Sequence, residues 1–154
     1  MTASATGRAR STRPVPAYIV RVEPAPSAPL LRVFVPGNAP SVNHMYVARH
    51  LTTEARAWRD AVALSLLPWR FPESAPRPDL RVSFVWVGMR SDIDNPCKLT
   101  LDGVKEGLAV DDKYVSELSL KKQKKTPQQE RGAWIEVQVL PQPEQQQRQR
   151  QRRV

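Results

Sequence analysis

The chain has 154 residues, of which 40% are hydrophobic, and a formal net charge of +9. This length predicts one domain with a single core, and no apolar run approaches the roughly 18 residues that a transmembrane helix needs. A single cysteine, Cys97, excludes an intramolecular disulfide and a cysteine-rich zinc site, so we expect an intracellular protein without membrane association.

The positive charge is concentrated at the two ends of the sequence. Residues 1–16 contain three arginines and no acid, and residues 141–154 contain four arginines and one glutamate, so these ends hold +6 of the +9. Both have too few apolar side chains to order themselves. We predict a flexible basic tail over 1–16, a folded domain over 17–140 and a flexible Gln/Arg-rich tail over 141–154. Such charge favours a polyanionic partner, most commonly nucleic acid, although basic tails also aid solubility.

The first predicted elements are strands and a helix. Residues 18–23 (YIVRVE) indicate a short strand. Residues 30–37 (LLRVFVPG) alternate apolar and polar side chains, which predicts a second strand. In residues 52–69, apolar side chains recur at helical spacing until Pro68, which predicts a helix that stops there.

A strand and a second helix follow. Residues 79–88 again alternate in polarity, which predicts a strand. Asn95 and Pro96 are a strong helix-start signal, with Asn95 as the cap and Pro96 as the first helical residue. The helix is expected to end near Leu108.

Two further strands complete the prediction. They cover residues 113–122 and 133–140, and a hairpin across residues 121–132 is expected to join them. The order β-β-α-β-α-β-β predicts an α+β fold, in which a mixed β-sheet has two main helices packed on it.

Acidic pairs flank the second predicted helix. Asp92 and Asp94 precede it, and Asp111 and Asp112 follow it. If strand geometry persists through Ile93, the first two carboxylates share a face, and the two pairs are expected to meet at one end of the sheet. Converging carboxylates are the ligands that Mg²⁺ prefers, and a metal-activated water hydrolyses phosphodiesters. Helix capping and turn formation are the alternative explanations for these acids.

Three residues in the first half of the second predicted helix lie close in the sequence to Asp92 and Asp94. Lys98 lies in the first turn, where its charge would stabilise a reacting phosphate. Asp102 follows four residues later on the same face, and we expect it to orient Lys98 through an ion pair rather than to bind metal. Cys97 is interpreted as a small packed side chain rather than a reactive thiol.

Four segments together resemble the RusA-type Holliday-junction resolvases, which are endodeoxyribonucleases of bacteria and their phages. They are SVNHMY (41–46), EARAWRDAV (54–62), DIDNPCKLTLDGV (92–104) and VDDKYVSEL (110–118). The resemblance covers roughly residues 31–125. The family's D-x-D-N-x-x-K and D-D-x-x-V motifs fall on Asp92, Asp94, Asn95 and Lys98, and on Asp111, Asp112 and Val115.

This resemblance implies a homodimer with two Mg²⁺-dependent sites, each of which nicks one strand of a four-way or branched DNA, so that the paired nicks are symmetric. It implies a cytoplasmic location in a bacterial or phage-infected cell. Asp92 and Asp94 would be metal ligands together with Asp112, or alternatively Asp111. Lys98 would contact the scissile phosphate.

The resemblance also places Asn43 near the active site, where it would contact DNA or the neighbouring carboxylates. Taken by itself, Asn43 is better explained as a turn residue that makes local hydrogen bonds.

One dense basic run lies within the predicted domain. Its lysines are expected either to contact DNA phosphates or to keep an exposed strand edge from pairing with other chains. They are Lys121, Lys122, Lys124 and Lys125.

Two other functions remain open at this point. A non-cleaving module that binds branched DNA would need neither Mg²⁺ nor the acids. A protein-interaction role would use the Arg/Gln tail over 141–154 to dock an acidic partner.

Overall fold

The computed structural model describes residues 30–141. The predicted tail over 1–16, the predicted strand over 18–23 and the tail that follows Pro141 lie outside the described residues. Within the described part, no helix is long and apolar enough to cross a membrane. The elements are β1 (Leu30–Pro36), β2 (Tyr46–Val47), β3 (His50–Leu51), α1 (Thr53–Leu66), β4 (Leu80–Val87), α2 (Cys97–Leu108), β5 (Val115–Gln123) and β6 (Gly132–Val139).

The four long strands form one mixed sheet in the order β1-β6-β4-β5. β4 is parallel to β5 and antiparallel to β6, and β6 is antiparallel to β1. The predicted α+β fold, a mixed sheet with two main helices, is confirmed. The predicted hairpin across 121–132 is wrong, because β4 lies between β5 and β6 and pairs with both. Local alternation identified both strands but carried no information about which strand separates them.

One face of the sheet forms the hydrophobic core with both helices. Alternate residues of β4, including Phe84 and Trp86, are almost completely buried, as are Val33 and Val35 of β1. Full burial of one such side chain stabilises the fold by about 1.5–3 kcal/mol. The apolar stripes predicted for the two helices are buried against this face: Trp58, Val62 and Leu66 on α1, and Leu99, Val104 and Leu108 on α2.

Two glycines allow α2 to approach α1 closely. A Cβ atom added at Gly107 would lie 2.6 Å from the carbonyl oxygen of Ala63, and one at Gly103 would lie 2.8 Å from the carbonyl oxygen of Arg59. Real side chains essentially never tolerate such distances to backbone. The absence of side chains at these two positions therefore sets the position of α2, and with it the positions of the acidic residues at both of its ends.

The start of α2 differs from the sequence prediction. The helix begins at Cys97, Pro96 occupies the capping position, and no side chain caps the helix. The prediction that Asn95 is the cap, with Pro96 as the first helical residue, is therefore wrong. The backbone N–H of Asn95 instead donates to the carbonyl of Asp92 at 3.2 Å, because residues 93–96 form turns before the helix. The Thr100 hydroxyl donates to the carbonyl of Pro96 at 2.8 Å.

Candidate functional site

The loop that follows β4 is anchored to the sheet at two points. The indole Nε1 of Trp86 donates to the carbonyl of Ile93 at 2.9 Å, and Nζ of Lys122 donates to the carbonyl of Ser91 at 2.8 Å. Trp86 is itself buried in the core. These hydrogen bonds hold the loop at the carboxyl end of β4, next to the end of β5.

Asp92 and Asp94 lie on this anchored loop, and both are exposed. Their backbone carbonyls accept hydrogen bonds from Asn95 and Cys97 at 3.2 and 3.0 Å. Ile93 therefore lies in a turn, and the expectation that strand geometry persists through it is wrong. Neither carboxylate forms an ion pair with another residue in 30–141.

The second acidic pair follows α2. Asp111 caps a short 3-10 turn, and its Oδ1 accepts a hydrogen bond from the backbone N–H of Asp112 at 2.6 Å. Asp112 Oδ1 lies 2.9 Å from Lys105 Nζ. This contact with Asp112 is the main reason why the pKa of Lys105 is raised above its ordinary value. Both aspartates are exposed, so Asp112 remains accessible from solvent.

The two acidic pairs lie at opposite ends of the sheet. β4 and β5 run parallel, with Leu80 opposite Val115 and Val87 opposite Gln123. One pair follows the end of β4, whereas the other precedes the start of β5. The helix α2 lies between the two pairs and has 12 residues. At roughly 1.5 Å per residue it spans roughly 18 Å. The expectation that the pairs meet at one end of the sheet is therefore wrong for a single copy of the chain.

Carboxylate oxygens are suitable ligands for Mg²⁺, but a single copy of the chain does not bring its two acidic pairs together. Among residues 30–141, no group of three or more His, Cys, Asp or Glu side chains is placed to hold a metal ion. A crossover from β4 through α2 to a parallel β5 places residues that precede the helix and residues that follow it at opposite ends of the sheet. Asp92 and Asp94 provide oxygen ligands at one end only.

Charged side chains connect the two ends along the surface of α2. Lys98 Nζ lies 3.4 Å from Asp102 Oδ2, which confirms the predicted ion pair. Asp102 Oδ1 is also 3.5 Å from Lys105 Nζ, the residue that pairs with Asp112. Lys98 is 70% exposed, so its ion pair contributes at most about 1 kcal/mol. The ammonium group is therefore free to exchange this partner for a phosphate.

A cavity of about 330 Å³ lies at the carboxyl end of β4, beside the anchored loop. Its lining includes Arg90 and Ser91, His44 from the segment before β2, and Arg131 from the segment before β6. Neither arginine was predicted from the sequence, because their convergence depends on the sheet order. The available signal was that Arg90 follows the end of β4 by three residues and that Arg131 directly precedes β6.

The segment that contains Asn43 lies at the same end of the sheet. The Ser41 hydroxyl and His44 Nδ1 are 2.8 Å apart, and both residues line the cavity. Asn43 is exposed and lines a neighbouring cavity with Tyr46 and Glu54. Its predicted DNA contact stays a prediction.

The basic run also belongs to this end of the molecule. Lys121 and Lys122 are the last lysines of β5, and Lys124 and Lys125 follow the strand. All four are exposed, and the hydrogen bond from Lys122 to Ser91 places the run beside the anchored loop. Lys122 therefore lies beside the loop that carries Asp92 and Asp94, and no lysine of the run forms an ion pair with either carboxylate within residues 30–141.

The thiol of Cys97 lies close enough to Asp94 for the charge of this carboxylate to affect the thiol pKa. Partial burial raises the pKa of its thiol, and the charge of Asp94 raises it further. This agrees with the interpretation of Cys97 as a packed side chain rather than a reactive thiol. Because only the thiolate reacts, we predict that Cys97 is alkylated more slowly than a free thiol at pH 8, and that Asp94→Asn accelerates alkylation by less than about tenfold.

Iodoacetamide labelling followed by mass spectrometry from pH 7 to 10 measures this effect. The control is Asp60→Asn, which removes an exposed carboxylate from α1. Equal labelling rates in wild type and Asp94→Asn would contradict the proximity of the two groups.

A comparison with protein-family models finds no match for this chain, and a comparison with curated proteins finds no significant match either. The resemblance to the RusA-type resolvases therefore depends on the motifs of the sequence itself. Beyond these motifs, a function for the chain is supported only by its fold and by the positions of its acidic and basic residues.

Proposed function

We propose that the protein is a Mg²⁺-dependent endodeoxyribonuclease of the RusA type that resolves four-way and other branched DNA in the cytoplasm of a bacterial or phage-infected cell. The observation that carries this proposal is the pair of exposed carboxylates, Asp92 and Asp94, on a loop that Trp86 and Lys122 anchor to the sheet. Two carboxylates this close in the chain repel each other, and a bound divalent cation would relieve this repulsion.

Asp92 and Asp94 would hold the metal, and because one copy of the chain separates the two acidic pairs, Asp112 or Asp111 would join them only from the second copy of a homodimer. When bound, Mg²⁺ supplies a Lewis acid and an activated water for phosphodiester hydrolysis. The chain contributes the fixed loop, which keeps the two carboxylates in place through the hydrogen bonds of Trp86 and the turns of residues 93–96. Lys98, exposed at the start of α2, would bind the scissile phosphate and stabilise its charge.

The surrounding basic residues would hold the DNA backbone. Arg90 and Arg131 line the cavity beside the loop, and the lysine run extends the positive surface along the end of β5. Contacts of this kind bind phosphates without reading sequence, and their strength falls steeply with salt. Such contacts would hold branched DNA through its charged backbone and would not select one base sequence.

Cleavage products of a synthetic junction test the proposed function. A four-way junction with each strand labelled in turn at its 5′ end is incubated with the purified chain and Mg²⁺. We expect nicks at symmetric positions on two opposing strands, with 5′-phosphate and 3′-hydroxyl ends that DNA ligase reseals. A linear duplex of the same sequence is the control and is expected to remain intact.

Binding of the junction without any nick would contradict the nuclease and favour the non-cleaving DNA-binding module. Equal cutting of the junction and the duplex would contradict structure specificity.

A further inference from the structure

The hairpin of β2 and β3 exposes two apolar side chains that are adjacent in the sequence. In this hairpin Tyr46 lies opposite Leu51, and Val47 lies opposite His50. Leu51 packs against the core, whereas Tyr46 is 50% exposed and Val47 is 68% exposed. Adjacent exposed apolar side chains of this kind are typical of binding surfaces.

The hairpin is fixed to the folded domain at its base. Met45, directly before β2, is buried in the core. After β3, the backbone N–H of Thr52 donates to the carbonyl of Met45 at 2.8 Å, and the Thr52 hydroxyl donates to the carbonyl of His44 at 3.0 Å. Ala48 and Arg49 have φ angles of 48° and 70°, as a two-residue hairpin turn requires. The outer surface of the hairpin is therefore preformed, so binding there would order little of the chain.

A cavity of about 360 Å³ lies between the hairpin and the start of α1. The lining of this hairpin cavity includes Tyr46 and Val47 from the hairpin, Asn43 from the segment before it, and Glu54 from α1. An aromatic ring and an apolar side chain beside two hydrogen-bonding groups are typical of a site for a small, flat ligand group.

The hairpin cavity differs in charge from the cavity beside the anchored loop (the basic cavity). Arg90 and Arg131 line the basic cavity, and no acid among residues 30–141 does. In the hairpin cavity the charged side chain is Glu54, and no lysine or arginine among residues 30–141 contributes to the lining. His44 lines both cavities, so they are adjacent. A phosphate is therefore attracted to the basic cavity and repelled from the hairpin cavity.

We propose that the hairpin cavity binds a nucleobase that is unpaired at the branch point of the DNA, while the phosphate next to that base lies in the basic cavity. A nucleotide has the same division into an anionic backbone and a flat, uncharged base. Tyr46 stacks on the base, which aromatic side chains do with any base. Asn43 and Glu54 form hydrogen bonds with its edge.

This inference rests on the proposed function and identifies the part of the chain that distinguishes branched DNA from a duplex. A base at a branch point can leave its stack readily. A base in an intact duplex must first lose its pairing and stacking, which costs free energy. The hairpin cavity therefore contributes to the binding of a junction and contributes nothing to the binding of a duplex.

Photo-cross-linking locates the bound base. A four-way junction that carries 5-iododeoxyuridine at its branch point is irradiated with the wild-type chain in EDTA, which prevents Mg²⁺-dependent cleavage. We expect a cross-link to Tyr46, identified by mass spectrometry of the peptides. The control junction carries the modified base one helical turn from the branch point and is expected to give no such cross-link. The absence of a Tyr46 cross-link from the first junction, or equal cross-linking from both, would overturn the site.

Affinities in EDTA measure the stacking. Tyr46→Ala is expected to weaken junction binding at least about fivefold and to leave the affinity for a linear duplex of the same sequence unchanged. Tyr46→Phe keeps the ring and is expected to bind like the wild type, whereas Tyr46→Leu keeps only the apolar bulk and is expected to bind like Tyr46→Ala. The matched control is Leu64→Ala, which removes a side chain of α1 that is 60% exposed, and it is expected to change neither affinity. Equal weakening for junction and duplex, or no weakening for either, would overturn the proposal.

Binding in EDTA and cleavage in Mg²⁺ separate this inference from the proposed function. A wild-type chain that binds the junction through Tyr46 but never nicks it would contradict the nuclease and leave the base-binding site standing. A chain that nicks junctions, and whose preference for junctions survives Tyr46→Ala, would overturn the base-binding site alone.

Discussion

Replacement of either acid on the anchored loop, Asp92→Asn or Asp94→Asn, is expected to lower junction cleavage by at least about a hundredfold. The amide keeps the size of the side chain but removes the charge that would hold Mg²⁺. Because both carboxylates are exposed and lack ion pairs among the described residues, neither substitution is expected to destabilise the fold. Junction binding is expected to persist or to tighten, since an acid that repels phosphate has been removed.

Cleavage rates and gel-shift affinities of the same preparations separate these effects. Asp60→Asn is the matched control, because Asp60 is an exposed carboxylate on α1 whose ion pair is with the adjacent Arg59. Its cleavage rate is expected to equal that of the wild type. Undiminished cleavage by both Asp92→Asn and Asp94→Asn would contradict the assignment of this loop as the site.

Gly107→Ala is expected to lower the free energy of unfolding by about 1–3 kcal/mol. Alanine is a better helix former than glycine, so helix propensity alone predicts a gain. The added methyl group would lie 2.6 Å from the carbonyl oxygen of Ala63 and 3.0 Å from Cβ of Leu66. The two helices must move apart to accommodate it, which opens the core between them.

Urea unfolding followed by tryptophan fluorescence measures this loss. The control is Glu106→Ala, at the neighbouring exposed position of α2, where only a surface ion pair with Arg59 is lost. Its effect is expected to stay within about 0.5 kcal/mol. A Gly107→Ala chain as stable as the wild type would contradict the close approach of the helices.

Local patterns predicted most elements of this fold. Alternation located β1 and β4, and helical spacing located α1 and α2 with the correct buried faces. The pairing of strands could not be predicted in the same way, because residues far apart in the sequence determine it. β5 and β6 were both identified, yet β4 lies between them and pairs with both.

The candidate site was likewise predicted only in part from local sequence patterns. Asp92, Asp94, Asp111 and Asp112 stood out in the sequence, and the ion pair of Lys98 with Asp102 followed from helical spacing. The contact of Lys105 with Asp112, in contrast, depends on how the chain turns after α2. The separation of the two acidic pairs depends on β4 and β5 being parallel, which neither strand reveals by itself.

Titration of Mg²⁺ in the junction-cleavage assay is the most direct test of the central claim that these carboxylates serve a divalent cation in DNA hydrolysis. The purified wild-type chain is first freed of metal with a chelator, and cleavage is then followed as Mg²⁺ is restored at constant ionic strength. We predict no nicks without the ion and a saturable rise in their rate as it is added. A rate that is independent of Mg²⁺, or the absence of nicks at every concentration, would contradict the claim.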